Sequence, residues 1–427
     1  WTVDLNSRFT DNLSNQFLFT YSKLDDVRGS NSSEFPFIDI QDGTGNNTQY
    51  MSLGYELFTW NNAVHNTIAN IKDDITYYVG SHKVTAGLSY EYQMADNAYM
   101  RNGTGYYRYS SVDDFVKGAA PEVVCLTYGY DGEKNPAARV QFSKLGLYAQ
   151  DDWNPTENFK LTYGVRFDGL FFNNSDLMTN KAILDLDYYD SNNDVRHIDT
   201  GKWPSAGISV SPRVGFKWDV LNDKSLTLRG GTGLFVGRLP LVFFTNMPTN
   251  SGMVQYQAQI NAKNAEKKGF TMDEFKGGLV TDANGKATTQ ALLDKLYTLG
   301  YPKTITPEDG TVPSSISAVD SKFKMPQVWK TSLAVDYQLP VSFPFTVTVE
   351  GIFNKTINGV MMSDWSMLPA EGFARWNGAD NRPVFPSNFR NATKAFVLEN
   401  TSKGYGYSAN VTVNMRPVEG LSFMAAY

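Results

Sequence analysis

Three features of this 427-residue sequence predict an all-β fold, an antiparallel up-and-down transmembrane β-barrel with long loops on one rim. Apolar and polar residues alternate with period two through many segments. Short and long connections alternate between those segments. No window offers the roughly 18 consecutive apolar residues of a transmembrane helix. In FKLTYGVRFD the odd positions Phe159, Leu161, Tyr163, Val165 and Phe167 are apolar or aromatic, and the even positions Lys160, Thr162, Gly164, Arg166 and Asp168 are polar or small. A period of two puts the first set on one face of a strand and the second on the other.

The alternation is present from the start, WTVDLNSRFT, and recurs along the chain. From Lys83 to Met94, Val84, Ala86, Leu88, Tyr90, Tyr92 and Met94 oppose Lys83, Thr85, Gly87, Ser89, Glu91 and Gln93. Similar runs lie at Ile208–Val220, Leu226–Val236, Trp329–Leu339, Phe345–Phe353 and Tyr405–Arg416. Roughly twelve strands of about 9 to 16 residues are predicted, longer than the usual five or six. Length separates this reading from a soluble propeller or tandem sandwich, whose strands are shorter, since a membrane-crossing strand needs about 9 to 11 residues.

The short connections carry turn chemistry: DNLS at 11–14, GSH at 80–82, NPTEN at 154–158, LNDKS at 221–225, LPVSFP at 339–344 and PVEG at 417–420. Between them lie long segments at about 25–60, 100–140, 174–206, 239–327 and 359–403. In a meander, consecutive turns fall at opposite ends, so strict alternation collects all short turns on one rim and all long loops on the other. Aromatic girdles are expected at both ends of the apolar band. Trp153, Phe159, Trp218 and Tyr337 stand beside short turns, and Phe171, Trp329, Phe353 and Tyr405 beside long loops.

Composition excludes several functions. The formal net charge is −6 and no run of Lys and Arg suits phosphate contacts, so nucleic acid is not an expected partner. Cys125 is the one cysteine, which forbids an intrachain disulfide. The histidines, His65, His82 and His197, are dispersed, with His82 predicted in a short turn and His197 in a long loop. No GxSxG, HExxH or P-loop pattern is present, and neither an enzyme nor a cofactor is expected.

The runs KLGLYAQDDWNPTENFKLTYGVRFD, SPRVGFKWDVLNDKSLTLRGGTGLFVGRLP and MPQVWKTSLAVDYQLP resemble the barrel of TonB-dependent outer-membrane transporters, and most closely their Oar-like branch. The Gly-Leu-Tyr-x-Gln-Asp-x-Trp core at Gly146–Trp153 is the most specific part. The resemblance implies a barrel of about 22 strands closed by an N-terminal plug, with a segment that engages TonB in the periplasm. It implies outer-membrane lipid, the TonB complex, an extracellular solute and a surface lipoprotein as partners. Because the sequence starts among barrel strands and ends at GLSFMAAY, residues 1–427 are expected to be a barrel segment without the plug, the TonB-binding part and the remaining strands. The terminal aromatic Tyr427 keeps a complete 12-stranded barrel open as the alternative. Active import is the function implied; a passive porin and a surface adhesin are the competing readings.

Candidate site residues follow from this layout. In the run Asn102–Tyr109, Tyr106, Tyr107, Arg108 and Tyr109 offer aromatic faces and a cation at the extracellular end, suited to a sugar or a peptide side chain, or to packing of a loop on its neighbours. Lys160, Arg166, Arg213, Lys217, Arg229, Glu350 and Arg416 are expected to face the lumen, where buried charges need partners on a plug or on one another. Asp185, Asp187, Asp190 and Asp194 could gather oxygens around calcium, although the EF-hand spacing and central glycine are absent and a solvated loop is the simpler reading. In TTQALLDKLYTLG, Thr288–Gly300, Leu292, Leu293, Leu296 and Leu299 recur with helical period, predicting a short loop helix over the barrel mouth.

Overall fold

The computed structural model describes residues 1–205, 207–240 and 242–427. Twelve strands form the wall: β1 (Thr2–Arg8), β2 (Leu13–Val27), β3 (Ala63–Val79), β4 (His82–Ala98), β5 (Ala138–Thr156), β6 (Phe159–Phe172), β7 (Gly207–Asp219), β8 (Leu226–Val236), β9 (Gln327–Gln338), β10 (Phe345–Asp364), β11 (Tyr405–Val418) and β12 (Leu421–Ala426). Each pairs antiparallel with its neighbour in sequence, giving an unbroken meander. Among the described residues β1 pairs only with β2 and β12 only with β11, so the sheet is open. No helix among them is long and apolar enough to cross a membrane.

Connections alternate as the sequence predicts. Residues 9–12, 80–81, 157–158, 220–225, 339–344 and 419–420 turn on one rim, and the described residues of 28–62, 99–137, 173–205, 237–326 and 365–404 run on the other. The two-residue turn after β3 needs a left-handed backbone, which Gly80 supplies at φ 56°. At 220–225 the Asp219 carboxylate instead accepts the Lys224 amide at 3.0 and 2.9 Å. His82 does not lie in a turn: it opens β4, opposite Trp153 of β5.

Facing follows register. Tyr163, Phe167 and Phe171 of β6 are 41, 45 and 47% exposed, as are comparable side chains on β4, β7, β9 and β10. Large apolar groups left uncovered along one face of a sheet this wide are satisfied by lipid. The opposite face carries a polar network. Arg166 pairs with Asp168 at 2.8 Å and donates to Ser89 Oγ at 2.7 Å, while Lys144 lies 3.7 Å from Asp168. Gly146, opposite Asp168, makes room for this: a side chain there would collide with the Arg166 guanidinium and the Ser89 hydroxyl.

The long connections fold into a cap. Three of them supply a five-stranded sheet with the order Gln255–Ile260, Val123–Gly129, Tyr106–Tyr109, Phe37–Gln41 and Gln49–Leu53. One face of it buries Ile38, Ile40, Tyr107, Tyr109, Val124, Leu126 and Ile260 against Leu292 and Leu296 of the helix Thr289–Thr298. That helix starts where the Thr288 side chain accepts the Ala291 amide at 3.1 Å. Each leucine so buried contributes about 1.5–3 kcal/mol of transfer free energy to a core that includes no wall side chain. A second core gathers Ile183, Tyr188, Ile316, Trp365 and Val397, around Ser315–Val319 paired in parallel with Lys394–Thr401. A third joins Trp203, Phe244 and Phe323 to Val140 and Leu398.

Candidate functional site at the extracellular cap and inner wall

The cap sheet has two unlike faces because its strands alternate. In Phe37–Gln41 the isoleucines 38 and 40 point into the core, while Phe37, Asp39 and Gln41 occupy the other side. In Gln255–Ile260, Gln257 and Gln259 lie opposite Tyr256, Ala258 and Ile260. The run Tyr106–Tyr109 splits the same way. Tyr107 and Tyr109 are fully buried in the core, whereas Tyr106 and Arg108 line a concavity with Phe37, Asp39, Gln49 and Gln257. Of the two alternatives open for this run, packing describes Tyr107 and Tyr109, which lie in the core on the face away from Tyr106 and Arg108, because adjacent positions on a strand point to opposite faces. Tyr107 accepts the Val280 amide at 3.3 Å, and burial pushes its hydroxyl well above the usual tyrosine range.

Asp39 organises the polar face. Its Oδ2 accepts the Tyr106 hydroxyl at 2.7 Å and Arg108 Nε and Nη2, both at 3.0 Å. Burial first, and the bond to Asp39 second, raise the Tyr106 hydroxyl, so it stays protonated and donating. Asp39 Oδ1 is buried with no partner among the described residues. Cys125 sits on the same face, its thiol pushed up to about 11 by burial. The amide-bearing strands 37–41 and 255–260 escape the reading of the long segments as loops. Their signal is the same period two that marks the wall, in FIDIQ and QYQAQI.

On the inner wall, register puts Lys160 opposite Lys217, Lys217 opposite Arg229, and Glu350 opposite Ala334, so these residues share one face. Lys160 pairs with Asp152 at 3.3 Å. Arg229 lies between Asp336 at 2.9 Å and Glu350 at 3.5 Å. Arg213 stands over the Phe235 ring at 5.7 Å, and Arg416 is exposed. At the cap end, Arg238 pairs with Glu91 and ties the longest connection to β4.

The four aspartates proposed for calcium do not converge. Asp190 is paired with Arg196 at 3.1 Å and accepts the Asn192 and Asp194 amides at 2.8 and 3.1 Å, and no three metal-binding side chains meet among the described residues. Asp187 lies 3.8 Å from His197. Asp190 is thus taken up by loop packing, while Asp185 and Asp194 are exposed. The histidines have separate carboxylate partners: His65 meets Asp25, and His82 Nδ1 meets Asp151 Oδ2, each at 2.7 Å. His82 also stacks on Trp153 with centroids 5.5 Å apart.

A meander with an apolar outer face, a charged inner face, short turns on one rim and a folded cap on the other defines an outer-membrane β-barrel wall. Over residues 1–427 the sequence matches the family model for the outer membrane beta barrel domain, and the chain belongs to that family. It is a protein of the Gram-negative outer membrane. Its fold is similar to that of the outer membrane transporter YddB from Escherichia coli, with 11% identity and a TM-score of 0.53 over 100% of this chain and 41% of that one. Other similar structures include the copper transporter OprC (11% identity, TM-score 0.44, 100% and 45% covered) and the ferric enterobactin receptor PfeA (10%, 0.46, 99% and 42%). The chain thus spans less than half the length of each of these. No curated protein sequence matches it.

Proposed function

We propose that this chain is part of the barrel of a TonB-dependent outer-membrane transporter, which captures a scarce solute at its cap and passes it into the periplasm as a plug rearranges. The supporting observation is the pairing of a transporter-like wall with a cap whose three loops share one core. Such a cap holds a binding surface in fixed geometry, as a receptor requires. The resemblance of Gly146–Trp153 and the flanking runs to the Oar-like branch points the same way. On this reading Lys160, Arg166, Arg213, Arg229, Glu350 and Arg416 face the plug. Arg213 and Arg416, which have no carboxylate partner among the described residues, are the two with charge left to offer it. On this reading TonB engages a part of the protein outside residues 1–427.

The experiment compares a deletion strain with its parent, with and without TonB, across media limiting in one nutrient at a time. A growth defect that appears only when TonB is present in the parent supports import. Steady ohmic conductance of the native protein in planar bilayers, with a growth phenotype indifferent to TonB, would replace it with a passive pore.

A further inference from the structure

The polar face of the cap sheet has the features of a built binding site. Its concavity of about 600 Å³ falls within the range of about 300–1,000 Å³ typical of small-molecule sites. Gln49, Asn102, Gln257 and Gln259 line it, and their side-chain amides make no hydrogen bond among the described residues. A primary amide presents two donors and an acceptor, the complement of a hydroxyl that gives one hydrogen bond and takes another. Asp39, only 6% exposed, has its Oδ2 saturated by Tyr106 and Arg108 and its Oδ1 unpaired. A buried carboxylate oxygen in that state needs a donor. The Phe37 and Tyr106 rings lie parallel, 7° apart with centroids at 6.0 Å, and add an aromatic border.

We propose that this face binds a neutral, polyhydroxylated ligand, an oligosaccharide, through Asp39, Arg108 and the amides of Gln49, Gln257 and Gln259. Charge argues against a cationic ligand, since Arg101 and Arg108 outnumber the one carboxylate. A phosphate is disfavoured less by charge than by pairing, because Asp39 already engages Arg108, and Arg101, stacked over the Phe58 ring, is the one cation of the lining without a carboxylate partner among the described residues. A peptide would dock along a sheet edge by main-chain pairing. Here the free groups are side-chain amides on the face. The proposal deepens the import reading by naming a ligand class and rests on it only for the fate of the bound ligand.

The test uses the protein extracted from outer membranes in detergent and probed on an array of natural neutral and acidic glycans, with the best binder measured by calorimetry. The Gln257→Ala/Gln259→Ala double variant and Arg108→Lys are expected to weaken binding about tenfold or more. Both glutamines are exposed, so limited proteolysis of the cap should be unchanged. A blank array, binding unaffected by both variants, or capture of an unstructured peptide library in place of glycans would each overturn the proposal. A glycan bound but never taken up when TonB is energised would remove the import reading and keep this site. Energised uptake of another solute with a blank array would do the reverse.

Discussion

Tyr106 donates its hydroxyl to Asp39 Oδ2 at 2.7 Å across 67 positions of sequence, while Tyr107, its neighbour, points into the opposite side of the same sheet. The two tyrosines should therefore respond differently to substitution. Tyr107→Ala removes a fully buried aromatic and is expected to cost the cap about 3–5 kcal/mol, and Tyr106→Phe only a hydrogen bond to a carboxylate, about 1.5–3 kcal/mol. Hydrogen exchange of amides in 123–129 and 255–260 should accelerate far more in the first, with the wall strands unchanged. Equal acceleration would mean the two faces are misassigned.

Val165 and Thr162 test the facing of the wall. Val165 shares the outer face with Tyr163 and Phe167, whereas Thr162 donates to Asp152 at 2.6 Å on the inner face. Val165→Arg should cost about 2–4 kcal/mol near the bilayer midplane and reduce assembled protein sharply. Thr162→Arg places a cation beside Asp152 and should assemble well. Matching yields in outer-membrane fractions would refute the register.

The single cysteine gives a chemical probe of the cap. With its thiol near 11, Cys125 at pH 8 should react with alkylating reagents on the order of a hundredfold more slowly than an unfolded control, since only the thiolate attacks. The rate should climb about tenfold per pH unit up to that value. By linkage, a raised thiol stabilises the cap fully below the unfolded value of about 8.5, and this contribution declines as pH rises towards 11. Alkylation at the control rate at pH 8 would contradict the burial.

Topology can be read in intact cells. In a Cys125→Ser background, cysteines placed at the exposed positions Asn284 and Lys134 should label from outside. Cysteines at Glu157 and Asp223, in the short turns, should label only after the outer membrane is opened. Immediate labelling of Glu157→Cys would invert the barrel.

The two unpaired edges predict how residues 1–427 behave in isolation. Each backbone group left unpaired in hydrocarbon costs several kcal/mol. Refolded into micelles, this segment should give no discrete fast-migrating band that shifts on boiling. Such a band would mean that β1 and β12 can meet and close a small cylinder.

The wall was legible because its signal is local. A strand such as Phe159–Phe172 declares its two faces within ten residues, and LNDKS or PVEG declares its own turn. Pairing in the cap is not local: Val124 meets Ile260 from another connection, and nothing near either residue names the other. The faces could still have been read. QYQAQI and the IDIQ of FIDIQ alternate as the wall does, and period two there brings Asp39 and Gln257 forward, whereas in YYRY only Arg108 marks a face and the spacing alone sets Tyr107 and Tyr109 opposite it. At 185–194 composition supplies carboxylates without naming their partners: Asp190 goes to Arg196 and to two backbone amides.

The cap also sets an order of events during biogenesis. Its sheet joins strands held in separate connections, and the Val280–Tyr107 hydrogen bond closes a loop of 173 positions. Closing such a loop in a free chain is entropically costly and slow. Once β2 to β9 have zipped together, however, their ends already hold connections 28–62, 99–137 and 237–326 on one rim, and much of that cost has been met. The cap should therefore form last, outside the cell, as a separate cooperative unit that can open and reclose while the wall stays intact.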